Sequence, residues 1–285
     1  MKWIGSVVLA LTAIATAGGA PSAQAVRPLA QDHVVVCESP SPTDVYCYTP
    51  GIARLDGGRL VATMDFGGKG MKKADPHGRV FTSDDGGRTW TLRTKFPFVH
   101  ARPFAAGKVV YVLGQSGDLD VIRSDDGGTT WGPVASLTKG QSWHQSACNV
   151  HHANGCVYLV MERRVSTNIK SWPVGELAPV LMRGRVDVDL TQATNWVFAS
   201  ELSFSGTIPN LATEPAIDFF GVPFYPAGYP SGCVPAPGRG SAPIGWLETN
   251  VIQIEDPDHV WFDPRGKTFR SEEHKSELQS RQSIS

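Results

Sequence analysis

A chain of 285 residues carrying 30 Gly, 21 Pro and a formal net charge of −1 at pH 7 has room for one large β domain. Its near-neutral balance gives no electrostatic reason to expect nucleic acid or an anionic membrane as a partner. Apolar runs of about four to eight residues broken by Gly and Pro favour short strands over helices, and no run after the N-terminus approaches a membrane span.

In chain order, residues 1–25 come first: Lys2, an apolar stretch from Trp3 to about Ala17, then Ala23-Gln24-Ala25. This reads as a secretory signal cleaved near Ala25, so a soluble, secreted or periplasmic product starting near Val26 is expected. The cysteines are Cys37, Cys47, Cys148, Cys156 and Cys233. Export permits disulfides, and Cys37 with Cys47 and Cys148 with Cys156 are the nearest pairs. The odd count leaves either a free thiol or a partner for Cys233 outside this sequence.

Blade-like units follow, each reading strand, Gly turn, strand, loop, strand, turn, strand. The first takes Gly51–Leu55, Arg59–Phe66, Arg79–Ser83 and Thr91–Phe96; the second takes Arg102–Ala106, Val109–Leu113, Leu119–Ser124 and Val134–Leu137. A third is expected from Ala147–His151, Cys156–Glu162, Ala178–Met182 with Arg185–Asp189 beyond, and Val197–Phe204. A Pro/Gly-rich loop from Pro209 to Pro243 carries Phe219, Phe220, Phe224, Tyr225 and Tyr229, and a fourth unit opens with Glu248–Ile254 and His259–Phe262.

Between the third and fourth strands of the first two units stand Ser83-Asp84-Asp85-Gly86-Gly87-Arg88-Thr89-Trp90 and Ser124-Asp125-Asp126-Gly127-Gly128-Thr129-Thr130-Trp131. Both read S-x-D-x-G-x-T-W, and the second Ser follows the first by 41 residues. Gly residues permit the positive φ of a tight turn, and a short carboxylate accepts from its own loop's N–H groups. Ser83, Asp85, Gly87, Thr89 and Trp90, with Ser124, Asp126, Gly128, Thr130 and Trp131, are therefore expected to be structural. Asp189 to Trp196 looks like a decayed copy.

The repeated turn resembles the Asp-box (BNR repeat) of the sialidase-like superfamily. The resemblance implies an all-β, sialidase-like β-propeller, six-bladed when complete, with about three and a half blades here. It implies a secreted hydrolase acting on glycan termini without a cofactor or metal, its partner a glycan or polysaccharide. Asp75, eight residues before Ser83, matches the family's acid/base Asp, and Glu248 the Glu that assists its Tyr nucleophile. Arg102, Arg163 and Lys69 are the candidate substrate-binding residues. The family's first-blade aromatic-Arg-Ile-Pro is replaced here by Tyr46-Cys47-Tyr48-Thr49-Pro50, and Lys69 or Lys72 stands where another Arg is expected. A bidentate guanidinium clamp selects a carboxylated sugar, so this departure weakens a sialidase reading. A non-catalytic glycan- or protein-binding propeller and a polysaccharide lyase are the alternatives.

His144, Cys148, His151 and His152 fit no zinc spacing, because neighbouring strand residues face opposite ways. His100 is placed to line the channel. From Arg270, Arg-Ser-Glu-Glu-His-Lys-Ser-Glu-Leu-Gln-Ser resembles a translated sequencing adapter, differing at Lys275. Residues 270–285 are accordingly expected to be a non-native tail on a truncated propeller spanning 26–269.

Overall fold

The computed structural model describes residues 32–72, 74–144, 149–167, 174–199, 246–260 and 262–265, with residues 201 and 203 and several short strands besides. The chain divides into two compact units, Met1–His33 and Val34–Ser285. The expected signal segment and residues 273–285 lie outside the described residues. Among the described residues no helix is long and apolar enough to cross a membrane.

Blade one is an antiparallel sheet in chain order: β1 (Tyr46–Arg54), β2 (Leu60–Gly67), β3 (Gly78–Ser83), β4 (Thr91–Phe96). Blade two repeats it with β5 (Val99–Ala106), β6 (Val109–Ser116), β7 (Asp118–Ser124) and β8 (Ala135–Ser136). In blade three, β9 (Trp143–His144) and β10 (His151–Ala153) both pair with β11 (Cys156–Arg164), and β12 (Leu177–Arg185) and β13 (Trp196–Phe198) follow. The fold is all-β with the strand order of β-propeller blades: three antiparallel sheets in chain order, followed by the strand pair of a fourth.

The core lies between blades, because the central strands bury both faces. On β6, Val110 and Val112 meet Val61, Val80, Phe96 and Phe98 on the blade-one side. Their neighbours Tyr111 and Leu113 turn the other way, onto Val157, Leu159 and Met161 of β11. On β11 in turn, Tyr158 and Val160 pack with Leu181 and with Val251 from the fourth blade. Strand alternation thus feeds two interfaces from one continuous apolar run.

Four expected elements differ. Blade three's first strand is split into β9 and β10 around residues 145–148, which include Cys148 and lie outside the described residues. Residues 186–189 form a turn rather than more strand, where Asp187 pairs with Arg185 and Asp189 accepts from Thr191 N at 3.0 Å. Within the expected loop 209–243 the backbone forms two hairpins, β14 (Ile217–Phe219) with β15 (Val222–Phe224) and β16 (Cys233–Ala236) with β17 (Gly240–Pro243). Its aromatics Phe220, Tyr225 and Tyr229 lie outside the described residues, as do the side chains of Phe219 and Phe224. Blade four's β18 (Asn250–Gln253) pairs with β19 (Phe269–Glu272), not with 259–262. Asp256-Pro257-Asp258 makes a turn there instead, with Asp258 N donating to Asp256 Oδ1 at 2.9 Å and His259 N to Asp256 O at 3.1 Å.

The two S-x-D-x-G-x-T-W loops close on themselves in the same way. Asp85 accepts from Thr89 N at 2.9 Å, Thr89 Oγ1 at 2.7 Å and Ser83 Oγ at 2.8 Å, while Trp90 Nε1 donates to Gly87 O at 3.0 Å. Asp126 accepts from Thr130 Oγ1 at 2.6 Å, Thr130 N at 2.8 Å and Ser124 Oγ at 2.8 Å, with Trp131 Nε1 on Gly128 O at 3.0 Å. Gly86 and Gly87 take φ of 72° and 91°, and Gly127 and Gly128 69° and 86°, the left-handed region a tight turn needs. The Thr backbone and hydroxyl donors hold both carboxyls well below the usual range. Trp196 Nε1 makes the corresponding bond to Leu190 O at 2.9 Å.

An arginine joins each loop to the next. Arg59 donates to Asp84 Oδ2 at 3.0 Å in the first loop, and to Thr129 Oγ1 at 2.8 Å and Gly127 O at 3.2 Å in the second. Arg123 pairs with Asp125 at 2.6 Å and with Asp189 of the third turn at 3.0 Å. Arg59→Ala is expected to lower stability by about 1.5 kcal/mol, since charged hydrogen bonds to two loops are lost at a largely buried side chain. Urea denaturation measures this, and an unchanged midpoint would show that the bridge contributes nothing.

Candidate functional site

Opposite the S-x-D-x-G-x-T-W loops, the first strands of blades one and two begin with an irregularity. The β1–β2 register slips between Tyr48 and Gly51, and the β5–β6 register between Val99 and Arg102. Inside these bulges Thr49 and His100 hold φ of 51° and 54°, and Glu248, just ahead of β18, holds 59°. Among the described non-glycine residues only Asn154, in the β10–β11 turn, joins them at positive φ. Such a backbone costs roughly 1–3 kcal/mol per residue and persists where its surroundings over-determine it.

Buried carboxylates supply that constraint. Asp65, near the end of β2 and 1% exposed, accepts from His100 N at 2.6 Å. Glu162, at the corresponding end of β11 and 2% exposed, accepts from Thr249 N and Thr249 Oγ1, both at 3.0 Å. Thr63 Oγ1 adds a bond to Ala101 O at 3.1 Å. Each acidic side chain thus reaches from one blade to the start of the next, Asp65 to the bulge at His100 and Glu162 to Thr249 just ahead of β18.

Burial pushes the Asp65 carboxyl up to about 6, against the His100 N–H, the Thr49 hydroxyl and the charges of His77 and Arg102, which favour the anion. The Thr49 hydroxyl and Asp65 Oδ1 are both buried without meeting hydrogen-bond geometry, so that favouring is electrostatic proximity. Burial, helped by His144 and Arg102, lowers His100 to about 4; burial, helped by Arg164, lowers His144. Both imidazoles are therefore neutral at pH 7, with their rings 5.6 Å apart. Gln115 Oε1 accepts from Gly117 N at 3.1 Å, which aims Gln115 Nε2 at His100 Nδ1 at 3.1 Å. His100 Nδ1 is then an acceptor and the ring proton sits on Nε2. Tyr48 lies edge-on, 5.9 Å from His100, its phenol pushed up to about 12 by burial and by Asp65.

Of the residues expected from the sequence, Glu248 is exposed and holds its left-handed φ just ahead of β18. Asp75 is half-buried in the β2–β3 connection, at the same end of blade one as Asp65, which pairs with Gly78. Its Oδ2 accepts from Lys72 N at 2.9 Å, closing its own turn. Arg102 donates to Pro50 O in the first bulge, and its charge bears on both Asp65 and His100. Arg163 pairs with Glu201 and stands opposite Trp143 on β9. Lys69 is turned away, ion-paired to Asp44 at 2.9 Å and largely in solvent. His151 and His152 take different partners, Gln253 Oε1 at 3.1 Å and Ala105 O at 2.8 Å.

The residues that sequence reasoning missed are Asp65, Gln115, Glu162 and Thr249. A signal existed for the two acids: each ends an apolar second-strand run as Met64-Asp65 or Met161-Glu162. Among the described residues, no group of three or more His, Cys, Asp or Glu is arranged to hold a metal ion.

No protein-family model matches the chain, and no curated protein does. Parts of several solved structures are similar to parts of this chain at low identity. The GH93 α-L-arabinofuranosidase of Fusarium graminearum is 15% identical over 55% of this chain and 48% of its own, with a TM-score of 0.37. The Hadza microbial sialidase Hz136 is 13% identical over 55% of this chain and 37% of its own, TM-score 0.39. The α-L-arabinofuranosidase from Lactobacillus brevis is 14% identical over 79% and 64%, TM-score 0.40. The chain spans less than two thirds of the length of each.

Proposed function

We propose that the protein is an exported glycoside hydrolase acting on glycan termini where the opening bulges gather, with Asp75 as proton donor and Glu248 as the assisting carboxylate. The observation that carries this is Glu248: an exposed carboxylate on a strained backbone, whose next residue is clamped by buried Glu162. Strain maintained at an exposed acid is the mark of a side chain held for use. Glycosidic cleavage takes a carboxyl to protonate the leaving oxygen and, across the bond, a carboxylate that is the nucleophile or assists one. Neutral His100 and Gln115, with Arg102 beside them, suit the mixed donors and acceptors of a sugar.

A second reading, glycan binding without turnover, is favoured by Asp65 and Glu162 both holding donors at the start of the next blade while Asp75 accepts within its own turn. The two readings separate on a panel of aryl glycosides and natural oligosaccharides, scored for released reducing sugar. Asp75→Asn and Glu248→Gln are each expected to lower kcat by about a hundredfold or more while ligand affinity is kept. Turnover unchanged in both variants would sink the catalytic assignment. Binding without turnover on any substrate, lost in Glu248→Gln, would establish the second reading.

A further inference from the structure

Ahead of blade one the chain doubles back on itself. Ser39 Oγ donates to Val45 O at 2.5 Å, Ser41 N donates to Ser39 Oγ at 3.1 Å, and Asp44 N and Val45 N donate to Ser41 O at 2.9 and 2.7 Å. The turn is tied to the blade by Gly70 N on Asp44 O at 2.8 Å and by the Lys69 ion pair to Asp44 at 2.9 Å. This return carries Cys37 back to Cys47, the second residue of β1. The two thiols line one wall of a cavity of about 460 Å³ completed by Glu38, Pro42 and Tyr46, with Cys37 Sγ donating to Glu38 O at 3.7 Å.

A fixed cation stands beside them. Arg79 is held by the carbonyls of Pro76 and His77 at 3.2 and 2.7 Å, and lies 3.6 Å over the ring of Phe66, the strand partner of Cys47. Burial raises both thiols, and the Arg79 charge works against that on each. The neighbouring Cys47 raises Cys37 further, which leaves Cys47 the readier thiolate.

We infer that Cys37 and Cys47 form a dithiol site that a disulfide oxidant, such as oxidised glutathione, converts into an intramolecular cross-link fastening the N-terminal turn to blade one. The Cys47 thiolate attacks one sulfur of the oxidant, whose S–S bond breaks and releases one thiol. Cys37, losing its proton to solvent, then attacks the Cys47 sulfur of the mixed disulfide and releases the second thiol. The protein loses two electrons and two protons, and the oxidant gains them as two thiols.

The experiment equilibrates the purified full chain with oxidised and reduced glutathione and blocks remaining thiols by alkylation. Cys37 and Cys47 share one tryptic stretch ending at Arg54, and further cleavage after Glu38 and Asp44 separates them. The expected result is that the Cys37 and Cys47 peptides stay joined until reduced and are lighter together by two hydrogens. Cross-linking should also raise the thermal midpoint by roughly 5–10 °C relative to the reduced protein. Full alkylation of both thiols after oxidation, or linkage of either to Cys148, Cys156 or Cys233, would overturn the inference. Cys37→Ser is the control, expected to leave Cys47 joined to no other cysteine of the chain, either alkylated or carrying glutathione as the unresolved mixed disulfide; if that variant does not fold, the wild-type peptide map decides alone.

Discussion

Gly78→Ala is expected to cost about 3–5 kcal/mol of folding stability, the range for emptying a buried Phe site, because the new methyl and the Phe96 ring cannot share the space. A Cβ at this position would lie 1.8 Å from Phe96 Cε2, 2.1 Å from Cζ and 2.3 Å from Cδ2. Phe96 is 2% exposed and packs against Phe98 with ring centroids 4.3 Å apart, inside the cluster shared by blades one and two. The ring must leave, and it has only solvent or the neighbouring strand to go to. Gly78 also faces Asp65 across β2–β3, so the displaced strand disturbs the bulge end of the blade as well. A double-mutant cycle with Phe96→Ala tests the cause: the pair should cost well under the sum of the singles. Additive losses in urea denaturation would refute the clash.

Asp65→Asn is expected to raise stability at pH 7 by about 3 kcal/mol relative to the parent, and to abolish that difference below pH 4. The carboxyl titrates at about 6 in the folded chain, against an ordinary value of 3.8. Between these values the folded chain holds a proton that the unfolded chain has released. The group's contribution is therefore full below pH 4 and is lost as pH rises through 6. Asparagine keeps an oxygen for the His100 N–H, carries no charge to desolvate and removes the titration. Other carboxyls shift the opposite way, Asp85 and Asp126 among them, so the quantity to measure is the variant-minus-parent difference across pH 3.5–7.5. A flat difference would mean that Asp65 is not the titrating group.

The strands of blades one and two were legible because Gly turns and apolar alternation are local signals. Arg59–Phe66 and Thr91–Phe96 read from sequence fall on β2 and β4 within a residue. Blade three was less legible at its first edge, where two short strands, β9 and β10, pair with β11 in place of one, and blade four because a strand-like run, His259–Phe262, follows a turn-forming Asp-Pro-Asp. The bulge end was half visible. Glu248, His100 and Arg102 could be placed from strand order, but Asp65 and Glu162 matter through what they reach in the next blade. Contacts of that kind span 35 and 87 residues and leave no local pattern. The left-handed φ at Thr49, His100 and Glu248 was invisible for the same reason: none is a glycine, so the conformation is imposed from outside.

The acidic side chains and the arginines act at opposite ends of the seams between blades, and both run forward in the chain. Asp65 and Glu162 reach into the blade that follows, and so do Arg59 and Arg123. In these contacts the earlier blade supplies the reaching side chain and the later one the backbone or loop it grasps, whereas Arg102 and His152 reach back to Pro50 O and Ala105 O of the blade before. Copying one blade in tandem would copy half of two seams, and the halves are complementary. Each duplicate would arrive with side chains that reach for its successor and with backbone or loop atoms for its predecessor to hold.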